Sequence, residues 1–296
     1  MPSVLIIIVT YNGSNHIRKC LTSYDTKNPN VSCIVIDNAS TDDTVKIIKN
    51  EYPEIRLVES GRNLGFGAAN NIALRIALDE GFDYVYLLNQ DAWIAPEDIN
   101  QLTEIAERNK DFGLISPLQV YADKEKIDNN FSCNITKEMK DDFFLSGNTQ
   151  KELYRIKGKT IQAAHWLLRV STIIKVGGFS PSFFHYGEDT NLCRRVEFHG
   201  IKLGIVPRIL GVHNRENRIT ALSLIFYFSR NNWVQIMSNP TLPLKSALIL
   251  LFKSLFNTFL AYPIKFPYAF FKFIVKLPSI WHNRKISMRE GSTFLT

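Results

Sequence analysis

An α/β fold with a mainly parallel, Rossmann-like central sheet flanked by helices is predicted from three observations. β-Branched apolar runs alternate with helix-patterned segments through the first half of the chain. Strands separated by helices pair in parallel through right-handed crossovers. Polar clusters recur just past the strand ends, where such sheets bind ligands. Residues 4–9 form the first run, ended by Tyr11-Asn12-Gly13. No basic segment precedes that run, so it reads as a buried strand and not a signal peptide. A helix is expected over residues 15–24 and a strand over 31–37. Ser40 and Thr41 are expected as N-caps of a helix through Asn50. A strand at 55–59, a loop at 61–67, a helix at 68–79 and a strand at 84–89 follow, and Pro96 opens the next helix in its first turn. Residues 120–160 are polar and expected to be irregular; 161–213 reads as a second compact region. After Ser238 the composition shifts to Leu, Phe and Lys, punctuated by Pro240, Pro243, Pro263, Pro267 and Pro278. Two parts are therefore expected, an α/β domain over 1–238 and a basic, hydrophobic helical tail over 239–296.

With 296 residues, 45% of them hydrophobic, the chain can bury a sizeable core, which excludes global disorder. The net charge is +7, and eight of the 35 Lys and Arg but one of the 28 Asp and Glu lie from Thr241 onward. The body is neutral and the tail holds the whole excess. Four cysteines, Cys20, Cys33, Cys133 and Cys193, show no CxxC spacing, so neither a zinc knuckle nor a redox dithiol is suggested. They read as reduced thiols.

Four clusters can carry chemistry. Asp37-Asn38-Ala39-Ser40 ends a strand, where a carboxylate and an amide can bond the edge of a base and the next helix offers free N–H groups. The plainer reading is an ordinary strand-to-helix turn. Asn63-Leu64-Gly65-Phe66-Gly67 allows close backbone approach before a helix, without being a dinucleotide fingerprint; a tightly packed helix start explains it equally. Asn89-Gln90-Asp91 places a carboxylate past a strand, where it can hold Mg²⁺ or Mn²⁺ beside phosphates or simply form a turn. Glu188-Asp189 follows Phe183, Phe184, His185 and Tyr186, suggesting a carboxylate in a partly dry pocket, hence a stronger base. The alternative there is a capping box heading a helix whose exposed face carries Arg194 and Arg195. His213 can close a metal site with Asp91 or be structural.

Together these clusters resemble, in order, glycosyltransferase family two with its GT-A fold, and within it the non-processive bacterial rhamnosyltransferases of surface-polysaccharide assembly. The resemblance rests on Val9-Thr10-Tyr11-Asn12, Asp37-Asn38-Ala39-Ser40, Asn63-x-Gly65-Phe66-Gly67-x-Ala69-Asn70, Leu87-Leu88-Asn89-Gln90-Asp91, Gly177-Gly178-Phe179 and Glu188-Asp189-x-Asn191-Leu192-Cys193-x-Arg195, with His213 and Arg230-Asn231. It spans residues 3–235. The resemblance implies that Thr10, Tyr11, Asn12, Asp37 and Asn38, with Asn63 and Gly65, bind the base and ribose of a nucleotide-diphospho-sugar. Asn89, Gln90 and Asp91 occupy the place of the DxD motif. Asp91 and His213 would hold Mg²⁺ or Mn²⁺, and Asp189 would be the catalytic base with Glu188 beside it. Two positions depart from the family: Asn89 replaces the first acid of DxD, and Asn191 replaces a second acid after Glu188-Asp189. The favoured donor is dTDP-rhamnose and the expected acceptor a polyprenyl-diphosphate-linked glycan, transferred with inversion at the cytoplasmic face of the inner membrane. A nucleotidyltransferase should show a basic Gly-rich loop near the first strand, which Tyr11-Asn12-Gly13-Ser14 lacks. A non-catalytic membrane scaffold would have lost Asp91 and Asp189, and both are present.

The tail carries apolar residues at 244, 248, 251, 252, 255, 256, 259 and 260, one face of a helix, with Lys245, Ser246, Lys253, Ser254, Asn257 and Thr258 on the other. Lys253 at its centre disfavours a span, since a central Lys costs about 2.5–3.5 kcal/mol. Aromatics with Lys272 and Lys276 suit a headgroup region, where long basic chains snorkel. A monotopic protein on a membrane surface is therefore expected; packing on the catalytic domain is the competing reading. Too much apolar surface interleaves the lysines for nucleic-acid binding.

Overall fold

The computed structural model describes residues 1–24, 28–144, 151–215 and 222–295. Strand β1 (Val4–Thr10) lies between β2 (Val31–Asp37) and the later strand β4 (Tyr84–Asn89), both parallel to it, and β3 (Arg56–Glu59) extends the sheet beyond β2. The register sets Thr10 beside Asp37 and Val9 beside Asn89, so the polar residues ending three strands emerge in one row. These strands read as unbroken apolar runs because both faces are covered. Leu5, Ile7, Ile34 and Ile36 pack under α3 (Phe66–Asp79). Ile6, Ile8 and Val35 pack against α1 (Ile17–Leu21), α2 (Thr44–Glu51) and α4 (Asp98–Arg108).

Beyond β4 the sheet is mixed. β8 (His165–Arg169) runs antiparallel between β4 and β6 (Phe112–Val120); β9 (Lys202–His213) runs parallel to β6; β5 (Ala92–Trp93) and β7 (Tyr154–Ile156) line β9 antiparallel. Following the pairings, β1 to β4, β6 and β9 point one way and the other three oppose them, so the sheet is mainly parallel as expected.

Several expectations need correction. Helix α1 is only five residues long. Ser40 and Thr41 do not cap α2: the Asn12 amide N–H donates to Ser40 Oγ at 2.9 Å and the Thr41 N–H to Asn12 Oδ1 at 2.8 Å, which ties the ends of β1 and β2 together. Pro96 sits before α4 rather than in its first turn. Strand β6, with every residue buried, lacks a periodic signature because both its faces are covered. The 120–160 stretch includes α5 (Asn129–Ser132), α6 (Lys137–Phe144) and β7. Residues 161–213 are not a separate region, since they supply β8 and β9 to the one sheet, with α7 (Val170–Val176) and α8 (Glu188–Phe198) between. Arg195 is fully buried, donating to Gly178 O at 2.5 Å and to Val176 O, so it caps the carbonyl end of α7. Burial pulls its pKa down to about 9.

Three helices follow: α9 (Leu222–Ser238), α10 (Leu244–Ala261) and α11 (Phe266–Ser287). They share a core of Trp233, Met237, Ala247, Leu251, Ala269, Phe273 and Ile280. That core straddles the expected boundary at 238/239. Helix α10 turns Ala247, Leu251 and Thr258 inward, and Ser254 Oγ accepts from Asn232 Nδ2 at 3.1 Å. Leu248, Phe252, Phe256, Phe259 and Leu260 face outward. Ser254 and Thr258 thus sit on the packed side. Residues 291–295 then return to the main core. The Gly291 N–H donates to Lys175 O, the Gly178 N–H to Thr293 O, and Leu295 is buried under α3 and α7.

Candidate active site

A cleft of about 400 Å³ opens where β1, β2 and β4 end. Seven of the residues singled out from sequence line it: Tyr11, Asn38, Asn63, Gly65, Asn89, Gln90 and Asp91, with Phe66, Phe184 and His185 opposite. Thr10, Asn12 and Asp37 do not line it; Thr10 holds Gln90, which does, and Asn12 and Asp37 fix the turn after β2. The buried Thr10 hydroxyl donates to Gln90 Oε1 at 2.6 Å, and the Tyr11 N–H reaches the same oxygen at 3.0 Å. Gln90 Nε2 donates back to Tyr11 O at 3.2 Å. The buried Asp37 carboxylate accepts the Ser40 N–H at 3.1 Å, fixing the turn after β2.

Asn38 ties that turn to the loop before α3. Its Oδ1 accepts the Leu64 N–H at 2.7 Å, and its Nδ2 donates to Asn63 Oδ1 at 3.0 Å. Gly65 has φ +83°, and a Cβ on it would lie 2.0 Å from the Phe184 carbonyl oxygen. Only glycine allows this loop to touch the 183–187 turn. That turn is strained at Tyr186, with φ +66°, and is clamped by the buried Asn231, whose Nδ2 donates to the carbonyls of His185 at 3.0 Å and Tyr186 at 2.9 Å.

Asp91 lines the cleft and His213, which does not, lies behind it; both are nearly fully buried, with His213 Nε2 3.5 Å from Asp91 Oδ1. Pairing of Ala92 in β5 with His213 at the end of β9 brings them together. His213 Nδ1 faces Asp128 Oδ2 at 3.8 Å, and neither ring nitrogen makes a hydrogen bond. Asp128 caps α5 through the Phe131 N–H, and both its oxygens accept from Arg215 at 2.6 Å. Burial pushes the Asp128 carboxyl up, but the Arg215 hydrogen bonds and charge outweigh that and hold it below the usual range. The sequence reading missed Asp128 and Arg215. Behind them His165 donates Nε2–H to Val212 O and accepts from Tyr86 OH; burial drops its pKa to about 3, so it stays neutral.

Glu188 and Asp189 open α8 behind Gly187, whose φ is +97°. They lie three and four residues past His185, beside the cleft wall rather than on it. Glu188 is buried, with Oε2 unbonded and Oε1 3.9 Å from His185 Nδ1. Burial, then the Asp189 charge, raises its pKa to about 8. Burial raises Asp189 too, opposed by the Thr190 N–H at 2.6 Å and by the Arg215 charge. The neighbour at 191 is an amide whose Nδ2 donates to Ser238 Oγ at 3.2 Å, so a second acid there is replaced by a tie to α9.

Residues 5–165 match the family described as Glycosyl transferase family 2. The chain is 27% identical over 229 residues to rhamnosyltransferase WbbL of Escherichia coli strain K12, covering 73% of this chain and 85% of that one. It is 29% identical over 240 residues to the N-acetylglucosaminyl-diphospho-decaprenol L-rhamnosyltransferase of Mycobacterium tuberculosis, covering 73% and 77%. Among solved structures it resembles the mannosyltransferase PcManGT of Pyrobaculum calidifontis with GDP-Man and Mn²⁺, at TM-score 0.58 and 17% identity over 95% of this chain and 74% of that one. It also resembles S. aureus TarS 1-349 with UDP, at TM-score 0.56 and 14% identity over 87% and 72%. These likenesses carry the GT-A fold. With the matched family covering more than half of it, the chain belongs to glycosyl transferase family 2 and is a glycosyltransferase.

Proposed function

We propose that the protein transfers a sugar, with rhamnose from dTDP-rhamnose favoured, onto a polyprenyl-diphosphate-linked glycan of a surface polysaccharide such as O-antigen, inverting the anomeric centre. The observation that carries this reading is the joint position of the cleft, the Asp91–His213 pair, of which Asp91 reaches the cleft, and the Glu188-Asp189 pair beside its wall. The donor reading draws support from relatives: one from Shigella flexneri is named a dTDP-rhamnosyl transferase, and the mycobacterial one is named for a diphospho-decaprenol acceptor.

Tyr11, Asn38 and Asn63 offer amide, aromatic and backbone groups for a base and ribose, on a frame braced by Thr10, Asn12 and Asp37. A buried acid next to a half-buried one cannot share two charges cheaply, so the pair keeps one proton. Arg215 and the Thr190 N–H favour charge on Asp189, which leaves the proton on Glu188. Asp189 then takes the proton of the acceptor hydroxyl as that oxygen attacks the anomeric carbon. Aligning two substrates in one cleft lowers the barrier further.

The Asp91–His213 pair fits a divalent cation of the Mn²⁺ or Mg²⁺ type. His213 has two unbonded, buried ring nitrogens; one faces the Asp91 carboxylate, and Asp128 stands 3.8 Å from the other, where a carboxylate would orient a metal-binding imidazole once within hydrogen-bond reach. No group of three or more acid, His or Cys ligands occurs among the described residues, so diphosphate and water would complete the shell. When bound, the cation neutralises charge on the departing nucleoside diphosphate.

The outward apolar chains of α10 and α11 support a membrane-surface location, on the cytoplasmic face where nucleotide-sugars are found. Of the described residues only Leu244–Ala261 forms a helix long and apolar enough to span by length and composition. Lys253 at mid-helix favours lying in the interface instead. A donor panel tests the whole reading: release of dTDP, UDP or GDP is measured with a polyprenyl-diphosphate glycan. Release from dTDP-rhamnose alone supports the proposal; preference for UDP- or GDP-sugars overturns the donor assignment.

A further inference from the structure

Phe184 is a shared wall. On one side lies the cleft described above; on the other is a second cavity of about 420 Å³ between α9, α11 and the turn at 182–184. Its apolar walls are Phe184, Val234, Phe271 and Val275. Its polar lining includes three cations, Arg230, Lys272 and Lys276, and no acid among the described residues. Lys272 lies over the Tyr268 ring, 4.4 Å from its centroid, which keeps its stem along the apolar surface. Phe271 and Val275 are 67% and 63% exposed, so the apolar wall runs out onto the open face of α11.

This combination selects its ligand. Two lysines, Lys272 and Lys276, one turn apart on α11 with no acid among the described lining residues, call for an anion carrying more than one charge. Apolar walls continuous with an exposed apolar face call for a hydrocarbon chain attached to it. The wall shared with the first cleft calls for a molecule whose other end is to be glycosylated there. We propose that this cavity holds the diphosphate and first isoprene units of the lipid-linked acceptor, with Lys272 and Lys276 on the diphosphate. A bilayer phospholipid would meet the first two demands and not the third. The assignment rests on the prenyl-diphosphate reading of the acceptor given above.

The test uses the full chain in neutral detergent, with farnesyl diphosphate as probe and farnesol and inorganic diphosphate as controls. The parent should bind farnesyl diphosphate more tightly than either control. Lys272→Gln with Lys276→Gln should weaken that binding about tenfold or more, the scale of losing hydrogen bonds to a charged group. The same variant should raise KM for a prenyl-diphosphate glycan with kcat and nucleoside diphosphate binding near those of the parent. Val275→Trp, at an exposed position, should narrow the cavity and weaken farnesyl diphosphate while sparing inorganic diphosphate. If the double variant binds farnesyl diphosphate and uses the lipid-linked glycan as the parent does, the site assignment falls while the acceptor reading stands. If it loses only binding to phosphatidylglycerol vesicles, the lysines serve the bilayer surface and the assignment also falls. A parent that ignores farnesyl diphosphate and glycosylates soluble glycans equally well overturns both.

Discussion

In β1, Ile6, Ile7 and Ile8 are almost wholly hidden, and polar side chains gather where the strands stop. Along α10 the arrangement is turned inside out: Phe252 is 73% exposed and Leu260 62%, while Ala247 and Thr258 face the protein. Both regions are rich in apolar residues, and their surroundings are opposite. In the sheet, burial leaves the strand ends as the place for polar groups to meet a ligand. In the helices, a small inward face permits close packing on α9, and the large side chains remain for another medium. A contiguous apolar face of this kind on a folded chain marks contact with a partner or a membrane.

The widest gap between the regions should appear on losing a single charge. Asp189→Asn is expected to cut turnover by about 10²–10⁴-fold, with the circular-dichroism spectrum and nucleoside diphosphate binding retained. Turnover near that of the parent would move the base elsewhere. On the helical side, Phe252, Phe256 and Phe259 changed together to Ser should lower partition onto lipid vesicles by about 10²-fold and leave release of nucleotide in detergent unchanged. Equal vesicle binding by both proteins in a flotation assay would show that the outward face meets something other than lipid. Gly65→Ala tests the joint between cleft and turn. A side chain at φ +83° against the Phe184 carbonyl should cost roughly 1–3 kcal/mol, seen as a lower melting temperature and weaker nucleotide binding.

A further effect is electrostatic. Glu188 holds its proton up to about pH 8 in the folded protein and releases it near the ordinary carboxylate value when unfolded. Between those points the folded state binds the extra proton, so raising pH through that window removes stability. The melting temperature should fall from about pH 5 to about pH 8, and Glu188→Gln should flatten this part of the profile. An unchanged slope in the variant would assign the dependence to another group.

The sheet edge was legible because strand-end residues announce themselves: a β-branched run stops, and Thr10, Asp37 or Asn89 follows. The Asp128–Arg215 pair was not, because its members are 87 residues apart and meet only once β9 and α5 are in place. Asp128 carried one weak signal, an acid before Asn129-Asn130-Phe131 that acts as an N-cap. Ser40 and Thr41 are good capping residues by type, yet Asn12 from another strand engages them first. Arg195 read as a surface charge, since nothing local shows that the end of α7 needs its guanidinium. In α10 the periodicity correctly marked an apolar side but placed Leu251 and Leu255 on it. The packing turns Leu251 inward with Thr258.

The return of residues 291–295 to α3 and α7 alters how the helices can be handled in the laboratory. With α9 holding one flank and Leu295 seated in the main core on the other, the stretch 244–287 is an insert rather than an appendage. Cutting the chain near residue 240 would strip the Thr293 and Phe294 carbonyls from Gly178 and Asn71 and leave a gap where Leu295 sits. Loss of activity after such a cut would report core damage as readily as loss of a membrane contact. Repainting the outward positions with polar side chains keeps both seams closed, so any change it brings belongs to the outward face alone.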